Sequence, residues 1–249
     1  MSTTLTLVRA ELTLLRRDTT AWSTAIALPL LLGGLWVVNE PPLGDGYGTV
    51  IVFQVVGLLI FTLHTVGTMT LASRREQLLL KRWRSSQAGP ASVLMGTIGL
   101  PALLVVSQAA VLTAITAAVY EQAPASITML AVGVLAGVVS VASVTFVVAA
   151  FTRSPEHATI TTFPVIALLM GGAVWSLMRP FDPFDWPVLA VPGGGVIQLL
   201  RLGWDGPEGS GSGLTRWLVE AAPSLAATAL LTVLATAAAL RWFRWQPRT

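Results

Sequence analysis

Long apolar runs separated by short polar connectors make up most of the chain from about residue 21 onward. The runs lie near 21–39, 48–72, 91–120, 125–151, 157–178 and 218–243. Each approaches or exceeds the ~20 residues that a helix needs to cross the hydrocarbon of a bilayer. Run 48–72 carries no formal charge, and only EQAPAS separates the third run from the fourth. That spacing predicts a tight helical hairpin. The pattern as a whole predicts an all-α integral membrane protein with six transmembrane helices. The first run contains AIA, which fits a small-x-small cleavage site, but its apolar stretch continues past that point and reads as a retained span.

Two segments outside the runs have patterns of their own. Over 3–18, Leu5, Val8, Leu12 and Leu15 fall at helical spacing, with Arg9, Glu11, Arg16 and Arg17 largely off that stripe. This predicts an N-terminal amphipathic interfacial helix lying in the membrane surface. Residues 179–217 read as a long extracellular loop. It begins rich in proline and aromatic residues, continues through GGGVIQLLRLGW, which suits a short interfacial helix, and ends in the flexible DGPEGSGSG.

Composition agrees. Of 249 residues, 54% are hydrophobic and 11% charged, against about 25% charged in soluble domains; the mean hydropathy is +0.73. The pI near 10.2 could suggest nucleic acid as a partner, but the placement of charge argues against it. With both termini inside, 12 of the 15 Lys and Arg fall on inner segments, leaving only Arg179, Arg201 and Arg216 outside. That bias is the positive-inside signature of topology, so no nucleic-acid partner is expected.

Much chemistry is missing. The sequence has no G-x-x-x-x-G-K-[ST] loop, no G-x-S-x-G elbow and no cysteine. His64 and His157 are its only histidines, too few for a metal site. No span holds a pair of acids for general acid–base work. Spans two to five hold essentially no ionisable residue except His64, whereas ion-driven carriers usually place one at membrane depth. The chain therefore shows no energy source of its own.

The connector SRREQLLLKRWRSSQAGP, 73–90, gathers five of the 15 Lys and Arg around four large apolar side chains. By itself it fits a plain topological anchor with an interfacial tryptophan. It also fits a short cytoplasmic helix whose apolar knob, Leu79, Leu80 and Trp83, is ringed by Arg74, Arg75, Arg82 and Arg84 and enters a groove on another protein.

Taken in order, four stretches of the chain resemble the type-2 ABC exporter permeases. RAELTLLRRDTTAWSTAIALPLLL (9–32) is similar to the family's opening amphipathic helix and first span with an internal proline, here Pro29. Residues 73–90 are similar to its coupling helix, with Arg75 and Glu76 at the start and Leu80, Lys81, Arg82 and Trp83 in the body. Leu78-Leu79 stand where Gly-Thr is common in the family. FTRSPEHATI (151–160) resembles its cytoplasmic turn between spans four and five, and PGGGVIQLLR (192–201) its outer segment.

The resemblance implies a permease subunit of the bacterial plasma membrane with cytoplasmic N and C termini. It would pair with an identical or homologous second permease and with two copies of a separate nucleotide-binding ATPase. ATP and Mg would sit on that ATPase, leaving this chain without a cofactor and without catalysis of its own. The expected activity is export of an amphipathic drug, antibiotic or lipid-like molecule, as in multidrug or antibiotic resistance. The ATPase-contact residues implied are Arg75, Glu76, Leu79, Leu80, Arg82 and Trp83, joined by Arg153, Ser154 and Glu156.

Some residues keep two readings. Gln54, His64, Thr65 and Thr68 in span two either line a substrate path or hydrogen-bond neighbouring helices. Gly133 and Gly137 form a GxxxG that suits close packing within the subunit. SPEH predicts a cap on span five, with Ser154 as N-cap and Pro155 at the first helical position. The alternative function is a secondary, ion-coupled transporter or channel, for which His64 is the available residue within a span. An intramembrane enzyme would need a catalytic cluster that the sequence does not offer.

Overall fold

The structure is a computed structural model that describes Thr13 and residues 19–39, 46–77, 90–207 and 214–242. The expected interfacial helix with Arg9, Glu11, Arg16 and Arg17 lies outside the described residues, as do Leu79, Leu80, Arg82 and Trp83 of the basic connector. The described residues are all-helical. Helix α1 runs through Thr19–Trp22, Ser23–Ala27 and Leu28–Val38, followed by α2 (Gly48–Glu76), α3 (Pro90–Val119), α4 (Ile127–Phe151), α5 (Ala158–Leu177), α6 (Trp186–Ala190), α7 (Gly194–Asp205) and α8 (Leu214–Trp242). Five of these, α2, α3, α4, α5 and α8, are long and apolar enough to cross a membrane; the apolar part of α1, Ser23–Val38, is shorter.

Helix α2 is the axis of the bundle, because its apolar residues face all round rather than along one stripe. Ile51, Val52, Leu58, Ile60, Leu63 and Leu71 are all buried. Its neighbours alternate in direction. Gln54 meets Gly33 and Thr116, and Thr62 meets Ala25, so α1 and α3 run antiparallel to α2. His64 meets Thr145 and Arg75 meets Ala149, so α4 runs parallel. The bundle therefore has one end at Arg75, where α2 and α4 finish and the 152–157 connector lies, and an opposite end at Asp205.

Pro29 shapes α1. Proline has no N–H to give the carbonyl four residues earlier, Ala25 O. Around it the helix widens to π register over Ser23–Ala27, with Leu28 N–H donating to Ser23 O. Ala25 O is taken up by Thr62 Oγ1 at 2.9 Å and Gln108 Nε2 at 3.0 Å. A second π segment, Leu59–Thr65, lies opposite in α2.

The segment read as an outer loop with a surface helix is largely folded into the bundle. Every residue of α7 from Gly194 to Trp204 is buried. The helix runs antiparallel to α4, with Gly203 on Leu130, Gly133 on Leu199 and Leu200, and Gly137 on Val196. At 1.5 Å per residue its start lies ~16 Å below its end, about half the depth of a bilayer's hydrocarbon. The chain descends through α6 and climbs back through α7 as a re-entrant hairpin.

Glycines make the turn possible. Gly193 has φ +89°, and a Cβ on Gly194 would come within 1.8 Å of Val188 O. At the other end the last carbonyls of α7 are satisfied by the α3–α4 turn, since Ser126 N–H donates to Gly203 O and Ala125 N–H to Trp204 O. The GxxxG of α4 thus serves packing within the subunit.

Candidate functional site

Three features have the chemistry to act: the Arg75 end, the polar contacts along α2, and the re-entrant hairpin. At the Arg75 end, α2 finishes in SRRE. Arg74 is half-buried and Glu76 exposed, whereas Arg75 is 1% exposed. Its guanidinium donates to Ala149 O at 2.9 Å and to Thr152 O, the carbonyls that end α4. A cation is favoured there because the last turn of a helix leaves carbonyls without intrahelical donors and carries partial negative charge. Arg75 was expected as a surface contact for a partner. Its side chain is turned inward and ties the end of α2 to the end of α4.

Thr152 extends the tie to α5. Its Oγ1 lies 2.8 Å from Thr161 Oγ1, and it caps α4 through its N–H on Val148 O. Between the two helices Arg153 and Glu156 are exposed and Ser154 half-buried. The expected N-cap at Ser154 does not form. The N-cap is His157 and α5 begins at Ala158, because residues 154–157 make an extra turn in which His157 N–H bonds Ser154 O. Ser154 Oγ donates to Glu156 Oε2 at 2.5 Å and lies 3.0 Å from His157 Nδ1. The bond from Ser154 holds the Glu156 carboxyl below its ordinary pKa. Glu76 and the 153–156 turn thus present polar side chains at the end that Arg75 braces.

The polar residues of α2 mostly face other helices. Gln54 is buried and donates to Gly33 O at 3.1 Å and to Thr116 Oγ1 at 3.0 Å. His64 is fully buried, with Nδ1 at 3.0 Å from Thr145 Oγ1 and no partner on Nε2. Thr65 bonds back to Ile60 O within its own helix. Thr68 Oγ1 is buried without a partner. Gln54 and His64 therefore cross-link α2 to α1, α3 and α4, and the four do not share an open channel face. Sequence reasoning missed Thr116 and Thr145 as the partners of Gln54 and His64, and Gln108 as a donor to Ala25 O beside Thr62. Pro29, which frees Ala25 O, was the available signal for Gln108. Among the described residues no group of three His, Asp or Glu could hold a metal ion.

At the Asp205 end, Asp205 Oδ1 accepts Gly48 N–H at 3.1 Å and joins α7 to α2. The residue keeps an exposed edge, but packing around the carboxyl raises its pKa, with the Gly48 N–H and Arg201 pulling the other way. The other polar residues of α7 meet the segment before α6: Gln198 donates to Asp182 O at 3.1 Å and Arg201 lies over the ring of Phe181 at 5.3 Å. Arg179 pairs with Asp185 at 2.6 Å. The Gln198 and Arg201 contacts hold the 179–185 segment against α7.

Comparison with protein-family models, with curated proteins and with solved structures finds no match for this chain.

Proposed function

We propose that the chain is the membrane-spanning permease subunit of an ATP-driven exporter of the type-2 ABC kind, moving an amphipathic drug, antibiotic or lipid-like molecule. In this reading α1 counts as the sixth crossing, since its three segments form one helix from Thr19 to Val38. Two copies of a separate ATPase bind the Arg75 end on the cytoplasmic side of a bacterial plasma membrane, and a second permease, identical or homologous, completes the pathway.

One observation supports the reading most. The basic connector, 73–90, contains near its start a buried arginine, Arg75, that grips the end of α4, and Thr152 carries that grip on to α5. A push on 76–90 would pass along a short chain of hydrogen bonds to three membrane helices rather than dissipate in a loop. Glu76 and Trp83 have the contact role. Substituting both by Ala should leave ATP hydrolysis by the reconstituted complex running while transport in vesicles falls. Unchanged transport would remove the coupling role.

One observation favours a second reading, an ion-coupled transporter. His64 is a titratable group buried within a span, with Nε2 unpartnered. Transport driven by a proton gradient in ATP-free vesicles, and lost in His64→Gln, would select it.

A further inference from the structure

The tip of the re-entrant hairpin borders a cavity that none of the roles above uses. It has two adjoining lobes of about 200 and 180 Å³, which share Ser140, Pro192, Gly193, Val196 and Leu231. One lobe extends among Val56, Leu59 and Val165 and is lined almost wholly by hydrocarbon. The other reaches Gly195 and Thr228. The flanking Leu168 of α5 and Leu230 and Leu234 of α8 are 54%, 61% and 59% exposed. On membrane-spanning helices such residues face lipid, so the cavity opens sideways into hydrocarbon rather than to water. For scale, an apolar protein cavity of ~150 Å³ stays dry and takes up benzene.

The floor of this cavity is not purely apolar. Ser140 is 2% exposed and lines both lobes, and its hydroxyl makes no hydrogen bond, unlike Ser143 one turn along, which bonds Val139 O. Helix α7 begins beside it. Gly194 N–H is taken by Val191 O and Ile197 N–H by Gly193 O. The amides of Gly195 and Val196 between them belong to the first turn, which has no intrahelical acceptor. A buried hydroxyl and the positive end of a twelve-residue helix both call for an acceptor atom. Half-helices that start at membrane mid-depth serve transporters in this way. No Lys or Arg lines either lobe, so an ionised carboxylate would be left without a counter-charge in hydrocarbon.

We propose that this cavity is a lateral binding site for an apolar molecule bearing one uncharged acceptor, an ester, amide or ketone carbonyl. The carbonyl sits at Ser140 and the start of α7, and the hydrocarbon fills the lobe toward Val56 and Val165. The ligand is a single-chain amphiphile rather than a bilayer phospholipid. A phospholipid's ester groups are held at the interface by its headgroup, whereas the polar floor lies ~16 Å below the end of α7. The site stands whether or not an ATPase drives the chain.

The test uses the purified full chain in phosphatidylcholine nanodiscs and two photoreactive probes. One is a fatty-acid methyl ester with a mid-chain diazirine; the other is the matched hydrocarbon without the ester. The ester probe should label Leu168, Leu169 and Leu231 well above Leu103, a lipid-facing residue on α3 that controls for general partitioning. Leu231→Trp, at a half-buried position common to both lobes, should abolish that enrichment. Ser140→Ala should cut ester labelling by roughly threefold to tenfold, the worth of one hydrogen bond, and leave hydrocarbon labelling unchanged. Labelling at the cavity no higher than at Leu103, or unaffected by Leu231→Trp, overturns the site. Equal labelling by the two probes with no effect of Ser140→Ala overturns the acceptor-bearing ligand.

Discussion

Arg75→Met is the perturbation with the largest effect that the structure allows to be worked out. Methionine retains much of the stem that threads between α2 and α4 and removes only the guanidinium. Ala149 O and Thr152 O then lose a charged donor. A hydrogen bond to a charged group contributes ~1.5–3 kcal/mol, so two bonds amount to roughly 3–6 kcal/mol. Removing a buried cation returns part of this, because its desolvation no longer opposes folding. The net expectation is a loss of about 2–4 kcal/mol. For a chain of this size ~1 kcal/mol moves the melting temperature by about 2–4 °C, which puts the shift on the order of 5–15 °C. The assay is thermal unfolding of the purified chain in mild detergent, followed by helical circular dichroism. Arg75→Lys keeps the charge but has no planar fork to span two carbonyls, and should fall between. Met and Lys variants that melt with the wild type would refute the tie between α2 and α4.

Other outcomes follow from the same packing. Gly194→Ala places a methyl group against Val188 O, which a Cβ would approach to 1.8 Å; limited proteolysis should show the hairpin opened between α6 and α7. Pro29→Ala restores an N–H for Ala25 O, so Thr62→Val should cost less in that background than in the wild type, a non-additivity read from paired melts. A double cycle of Gln54→Leu and Thr116→Val should give a coupling of ~0.6 kcal/mol and at most about 1.7 kcal/mol, the range for hydrogen bonds between membrane helices. Asp205 has a raised folded-state pKa, so its titration favours the folded state most below the ordinary carboxylate pKa, and that contribution is lost as pH rises through the folded value. Asp205→Asn keeps an acceptor for Gly48 N–H without the charge. It should melt at or above the wild type at neutral pH, with the difference shrinking as the medium is acidified.

Five of the six runs were legible as long apolar helices because hydrocarbon thickness imposes a length that few other constraints imitate. The helices of the third and fifth spans begin and end within a residue of the predicted runs. The re-entrant helix was not legible as such, because its Gln198, Arg201 and Asp205 give it a polar stripe that usually marks a surface. In the folded chain those side chains reach Asp182 O, Phe181 and Gly48 N–H, and the stripe becomes internal. Its real signature was small residues at its contacts, Gly203 on α7 with Gly133 and Gly137 on α4, and Gly195 against Ser224 and Thr228 of α8. Arg75 was misread for a related reason. A positive-inside count treats every arginine as a surface charge, but position 75 falls on the face of α2 that meets the end of α4. Ser154-Pro155 matched a cap pattern, but a separate turn formed because Ser154 Oγ was engaged by Glu156 and His157.

The central claim is that this membrane bundle is driven by a separate ATPase seated at the Arg75 end. A mild-detergent pull-down of the tagged chain from its native membranes, with co-purifying proteins identified by mass, tests it most directly. The account predicts a P-loop ATPase in stoichiometric amount, released when Glu76 and Arg82 are reversed in charge while the chain itself stays folded. A folded chain that comes down with no ATPase would contradict it and leave residues 73–90 as a topological anchor.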